Sequence, residues 1–380
     1  MSDIKNFSRE ANFELLRVIA MIMVTMLHTL GHGGVLEAYE FGSARYIAMW
    51  FIETLSYVSV NLFVLITGYF MVNSNFKISR IIKLSVQVEF YSLICLIIAK
   101  FVLKQEINIE DIVSALFPLT GGIYWFASAY AVLIALSPLL NKFIHSMSKN
   151  EHFLACISLC TIFCVIPTFL FWSRGILSSG SDFAWFIVLY ISAAYIKLYS
   201  EDTLYLNCKR KSYFIIYIIL CSLCVLSRLF IGQICKITFG TIKGSGLFYS
   251  YNSILIFVAS VCLFMFFRTL EIKNNKIISK IAVGLGSVCF GAYLCSDNPF
   301  LRKPLWDFVN LPQMAKNVNR GGGTVLLIAV VLIIFLIGCI IEWIRVRIFK
   351  ALRIYKLLNK FDIFTEKIVD KIKMFSRDMM

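Results

Sequence analysis

Thr324-Val-Leu-Leu-Ile-Ala-Val-Val-Leu-Ile-Ile-Phe-Leu-Ile-Gly-Cys-Ile-Ile341 is a run of eighteen residues with no charge and no proline. A helix that crosses a bilayer uses about 20 apolar residues. The rest of the chain repeats the pattern. Of its 380 residues, 59% are hydrophobic and 16% are charged, and the mean hydropathy is +0.80. A soluble domain carries about 25% charged residues, and a disordered chain has low hydrophobicity. The bilayer is the solvent that remains. Apolar segments read at 12–31, 47–72, 81–103, 123–145, 153–172, 183–200, 213–234, 248–267, 279–297 and 323–344. Uninterrupted apolar runs differ from the alternating strands of a membrane barrel. Only helices then satisfy their own backbone in lipid. The expected fold class is all-α, a polytopic membrane protein with about ten helices.

The net charge of +15 would suggest nucleic acid in a soluble protein. Here it orients the chain, and no nucleic-acid partner is expected. With the N-terminus in the cytoplasm, 25 Lys and Arg fall on inside segments and ten on outside ones, with Arg17 and Arg228 inside spans. That asymmetry predicts both termini inside. The first segment has a basic start and an apolar core, but Glu14 and Arg17 stand at its head. It reads as an uncleaved span rather than a signal peptide.

The division expected is an integral-membrane domain over 1–345 and a basic tail over 346–380. Ile348, Leu352, Leu358, Phe361, Ile368, Ile372 and Phe375 recur through the tail at largely helical spacing. An amphipathic helix on anionic inner-leaflet lipids fits. Cys156, Cys160 and Cys164 form a stripe, and Cys221 and Cys224 a pair, within apolar helices. They read as small packing residues, because zinc and redox sites need polar partners.

Charges inside spans are costly and mark candidate sites. The first helix is richest in them. Glu14 and Arg17 are three apart, so they share a face. Arg17 and His28 are eleven apart, almost three full turns, with about 16 Å between them along the axis. An anionic cofactor entering from the cytoplasm would meet Arg17 while its extended arm points toward His28. Histidine suits general-base work near neutral pH. The plainer alternative is that Arg17 snorkels and His28 bonds a neighbouring helix. His28 and His32 have the i,i+4 spacing of a metal pair, but no third ligand is evident, so no metal is expected. His145 and His152 fall at an inner loop and read as solvated. Gly68 permits close backbone approach. Lys77 and Arg80 stand at the cytoplasmic edge, where they suit phosphate or serve as ordinary positive-inside charge. Glu89 is a further embedded acid. Glu53 begins the return helix at a depth similar to His28, where it could orient the imidazole or an acceptor hydroxyl.

This constellation resembles acyltransferase family 3, membrane proteins that O-acylate bacterial cell-surface sugars. Its signature is an acid three before an arginine, then ten residues, then histidine. Glu14, Arg17 and His28 match, with glutamate for the commoner aspartate. Asn61 through Thr67-Gly68-Tyr69 resembles the family's SGY helix, and Lys77-Ile-Ser-Arg80 its RxxR loop. Tyr124-Trp125-Phe126, Tyr130 and Ser137-Pro138-Leu-Leu-Asn141 are similar to its fourth-helix pattern. Phe290-Gly-Ala-Tyr293-Leu-Cys-Ser296 through Pro299 resembles its late segment, with Ser296 where histidine is common.

The resemblance covers most of 12–345 and implies transfer of an acyl group, usually acetyl, from acetyl-CoA or another acyl-CoA to a hydroxyl of a surface or lipid-linked sugar. It implies His28 as base or acyl handler, Arg17 as donor anchor or charge stabiliser, and Glu14 as its holder. Lys77 and Arg80 would meet CoA phosphates. Glu53, Trp125 and Tyr130 are the candidates for meeting the acceptor. No esterase-like domain follows, so a stand-alone enzyme of the bacterial plasma membrane is expected. A sugar-lipid transporter or flippase is the rival class, although inverted repeats and broken helices are not evident in the sequence. A lipid-linked sugar polymerase would call for a larger outer loop than 298–322.

Overall fold

The computed structural model describes residues 10–170, 173, 177–201, 208–272, 276–316, 322–358 and 360–361. Among them there are helices and no strand. In chain order these are α1 (Ala11–Gly31), α2 (Ala44–Tyr57), α3 (Ser59–Met71), α4 (Ser79–Phe101), α5 (Ile109–Leu116), α6 (Trp125–Ser146) and α7 (Lys149–Cys160). A π-turn over Thr161–Val165 leads into α8 (Ile166–Phe169). Then come α9 (Phe183–Tyr199), α10 (Arg210–Phe239), α11 (Ile254–Arg268), α12 (Lys276–Gly286), α13 (Phe290–Ser296), α14 (Pro299–Val309), α15 (Leu311–Lys316) and α16 (Gly322–Ala351).

Seven described helical stretches are long and apolar enough to cross a membrane: α1, α2 with α3, α4, α6, α7 through α8, α10 and α16. The pair α12 and α13, bent by 43°, makes an eighth if taken as one span. The two remaining predicted segments form α9 and α11, of 17 and 15 residues, shorter than the usual length of a span. On α10 and α16 the outward residues are apolar, among them Phe230, Ile237, Ile333 and Ile337. Such surface suits lipid rather than water. The chain has the build of a multi-pass helical membrane protein.

α1 runs through the middle of the bundle, against α2, α3, α11, α12, α13 and α16. Small residues let its neighbours close up. A Cβ on Gly68 of α3 would stand 2.7 Å from the carbonyl oxygen of Tyr190 on α9. One on Gly291 of α13 would stand 2.8 Å from the carbonyl oxygen of Gly338 on α16.

Three prolines lie inside helical stretches, and each removes the N–H that would bond the carbonyl four residues back. A side chain takes over in every case, as a low-dielectric interior requires. For Pro138, the Ser137 hydroxyl donates to Ile134 O at 2.8 Å. For Pro167, Asn252 Nδ2 donates to Phe163 O at 2.8 Å, beside the π-turn. For Pro304, Gln105 Nε2 donates to Phe300 O at 3.1 Å.

Two sequence expectations change. His152 is buried and its Nε2 donates to Ile191 O at 3.0 Å, while His145 Nε2 donates to Val72 O at 3.0 Å. His145 is exposed as well as bonded, so His152 alone departs from the solvated expectation. Arg345, the last residue of the expected membrane domain and one of the cations counted on inside segments, is buried and pairs with Glu342 at 2.6 Å. α16 runs through that boundary to Ala351, and residues 362–380 of the expected amphipathic tail lie outside the described residues.

Candidate active site

α1 carries the site along one face. At its first turn Arg17 Nη1 donates to Glu14 Oε1 at 2.6 Å. Glu14 is buried and Arg17 half-exposed. Gly286 of α12 leaves room for that carboxylate, because a Cβ there would run into it. Met21, Val24 and His28 continue the face by steps of four, three and four residues.

Two cavities share His28, Trp125 and Tyr251 as walls. One is a narrow apolar slot of about 40 Å³ that follows Met21 and Val24 back toward Arg17, with Phe63 and Phe126 opposite. The other is polar, about 320 Å³, and is lined by His32, Glu53, Asp297 and Arg302. Tyr57, Tyr251 and Trp125 form a continuous aromatic stack along it, with centroids 4.8 and 5.7 Å apart. Glu53 is buried and makes no hydrogen bond among the described residues. An aromatic stack with free carboxylate oxygen is the chemistry that meets a sugar, through C–H faces and hydroxyls.

The break between α13 and α14 supplies the opposite wall. Asn298 caps α14 through Phe300 N at 3.0 Å and donates to Tyr124 Oη at 2.8 Å. Asp297 is thereby turned inward, with Oδ1 3.4 Å from His32 Nε2 and 3.7 Å from Arg302 Nε. Folding therefore brings a third potential metal ligand to His28 and His32, all within 4.8 Å of one another. The Arg302 guanidinium beside Asp297 opposes a cation there.

Ser296 settles the orientation of His28. Its Oγ lies 2.9 Å from His28 Nδ1 and 2.8 Å from the carbonyl oxygen of Ala292. A serine hydroxyl has one proton, and the carbonyl can only accept it. With that proton on Ala292 O, Ser296 Oγ accepts from His28 Nδ1–H, and Nε2 is then the basic nitrogen of the neutral ring.

A family model described as an acyltransferase domain matches residues 10–343. The chain belongs to acyltransferase family 3. No curated protein and no solved structure matches it.

In this acyltransferase, the residues singled out from the sequence fall into three groups. His28, Glu53 and Trp125 meet at the polar cavity. Arg17 and Glu14 lie at the other end of α1, beside the end of α3, where Phe13 packs on Tyr69 and Phe70 at 5.1 and 5.0 Å. Lys77 and Arg80 follow α3 on that same end, Arg80 reaching Ser74 Oγ at 3.2 Å. No described contact joins them to Arg17. Tyr130 lines neither cavity. It bonds Thr67 at 3.0 Å and stacks on Phe126 from behind. Glu89 makes no ion pair among the described residues. Asp297, Arg302, Tyr57 and Tyr251 were not singled out. The only sequence signal for Asp297 was its place beside Ser296 in the late motif.

Ser296→Ala is expected to lower turnover while sparing the Michaelis constant for the donor. Leaving a buried donor unpaired costs about 1–3 kcal/mol, or roughly five- to 150-fold in kcat. Ser296→Thr keeps the hydroxyl and should keep the activity. Unchanged kcat in a well-folded Ser296→Ala protein would remove Ser296 from the orienting role.

Proposed function

We propose that the protein moves a short acyl group, acetyl first of all, from acyl-CoA to a sugar hydroxyl on a surface glycan or its lipid-linked precursor. The observation that carries this reading is His28, its Nδ1 on Ser296 Oγ, standing as a shared wall of an apolar slot and a polar aromatic cavity. The slot runs past Met21 in the direction of Arg17, so a thioester arm that widens it on binding would bring its phosphates to the end where Arg17, Lys77 and Arg80 stand. The polar cavity fits a sugar ring on Trp125 and Tyr251, with Glu53 and Asp297 accepting from its hydroxyls.

His28 Nε2 takes the proton of one acceptor hydroxyl as that oxygen attacks the thioester carbonyl. The tetrahedral intermediate collapses, the carbon–sulfur bond breaks, and the proton passes from Nε2 to the departing sulfur. Arg17 lies about 16 Å from His28 along the helix, too far to touch the reacting carbonyl. Of its two implied roles, donor placement is the one that fits. The charge asymmetry supports ten spans, with α9 and α11 as short ones, and both termini in the cytoplasm of a bacterial plasma membrane.

The test is release of free CoA by purified protein given acetyl-CoA and a surface-glycan fraction, followed by mass spectrometry of the glycan. Lys77→Ala and Arg80→Ala are expected mainly to raise the Michaelis constant for the donor. A purified protein that releases no CoA from any acyl-CoA, yet moves sugar-lipid across vesicles, is instead a flippase.

A further inference from the structure

Arg228 stands inside the apolar helix α10, eighteen residues beyond Arg210. That is about 27 Å along the axis, nearly the full hydrocarbon thickness of about 30 Å. The Lys209-Arg210-Lys211 cluster marks one end of this helix, so Arg228 approaches the opposite membrane face.

Its guanidinium is held rigidly. Nε donates to Tyr46 Oη at 2.8 Å. The indole of Trp50 covers one face, with the guanidinium carbon 3.3 Å from the ring centroid, and Tyr249 stands at 5.2 Å. Such stacking favours a cation without neutralising it. No carboxylate forms an ion pair with Arg228 among the described residues, and its two terminal amino groups make no hydrogen bond there. Arg228 lines a cavity of about 450 Å³ together with Tyr39, Phe41, Tyr46, Trp50 and Glu37. The wall is built to shape. Gly232, one turn further along α10, gives way to the Phe41 ring, which a Cβ would meet at 2.6 Å. This cavity shares no lining residue with the two at His28.

An embedded cation with no ion pair among the described residues is a candidate binding site. Two parallel N–H groups on a fixed planar fork match the oxygens of a phosphate. We propose that the Arg228 cavity binds a phosphate group, presented by a lipid, at the membrane face opposite the Lys209-Arg210-Lys211 cluster. Apolar Leu36 and Ile242 on the same wall suit the first carbons of such a lipid. Glu37 stands at the exposed rim and tunes the site by repulsion. The inference needs no acyl transfer and is independent of the proposed reaction.

The experiment titrates the full-length protein, in uncharged detergent and without acyl-CoA, with dihexanoyl phosphatidic acid and, separately, with inorganic phosphate. Saturable binding of the lipid is expected, weakened at least tenfold by Arg228→Gln and strengthened by Glu37→Gln. Arg228→Lys keeps the charge but not the fork, and should still weaken binding severalfold. It also serves if the glutamine variant does not fold. Equal Arg228-dependent binding of inorganic phosphate would support the anion site and assign its ligand to free phosphate. Lipid binding that is absent, or unchanged in both Arg228 variants, would overturn the proposal.

Discussion

Replacing His28 with alanine is expected to lower the rate of acyl transfer by about 10²–10⁴-fold, the usual worth of a positioned general base. The loss should fall on kcat, since the proposed donor-phosphate end of the site lies some 16 Å away along α1. Folding should survive. His28 lines two cavities and its described hydrogen bond is the single one to Ser296, so alanine leaves space rather than an unpaired charge. The released Ser296 hydroxyl still has Ala292 O at 2.8 Å. Gel filtration and thermal unfolding check the fold, and CoA release checks the rate. Near-normal turnover in a well-expressed His28→Ala protein would require another base.

The largest expected loss of stability lies elsewhere. Glu342 and Arg345 of α16 are 2% and 5% exposed, which means both charges are held away from solvent. Glu342 accepts from Arg345 through both its oxygens, at 2.6 and 2.9 Å, and also from Gln87 at 2.9 Å and Tyr91 at 3.0 Å on α4. Arg345→Ala would leave that carboxylate buried without its cation. Breaking a buried pair from one side costs about 3–5 kcal/mol. The double variant Glu342→Gln with Arg345→Met removes both charges, and is expected to recover most of the loss. Unfolding in denaturant, measured on all three proteins in the same detergent, gives the comparison. Equal stability of Arg345→Ala and the parent would mean that the pair contributes nothing net.

Helical periodicity made part of this site legible before folding. Glu14, Arg17 and His28 share one helix, so their spacing already gives a face and a depth. Glu53 follows from the return of the next helix, which brings position 53 back beside the end of α1. Trp125 reaches the cavity, but Tyr130 does not, because five residues turn a helix through about 140° beyond a full circle. Asp297 and Arg302 are more than 260 residues from His28 in the chain, so no local period links them to it. They arrive through the break between α13 and α14, which depends on the Asn298 cap and Tyr124. The serine at 296 was readable only as a departure from the family pattern. The structure sets its hydroxyl on the imidazole. Arg345 shows the converse. A cation at the end of an apolar run looks solvated in sequence, and only Gln87 and Tyr91, about 250 positions away, reveal it as buried.

In the proposed reaction His28 joins a donor from the Lys77–Arg80 side of the membrane to an acceptor from the other side. Oriented proteoliposomes test it most directly, with acetyl-labelled acetyl-CoA outside, on the side that exposes the Lys77–Arg80 loop, and the glycan acceptor sealed within. Label is expected on the enclosed glycan, with free CoA remaining outside, and neither in vesicles carrying His28→Ala. Label that reaches glycan only when donor and acceptor share one compartment would contradict it.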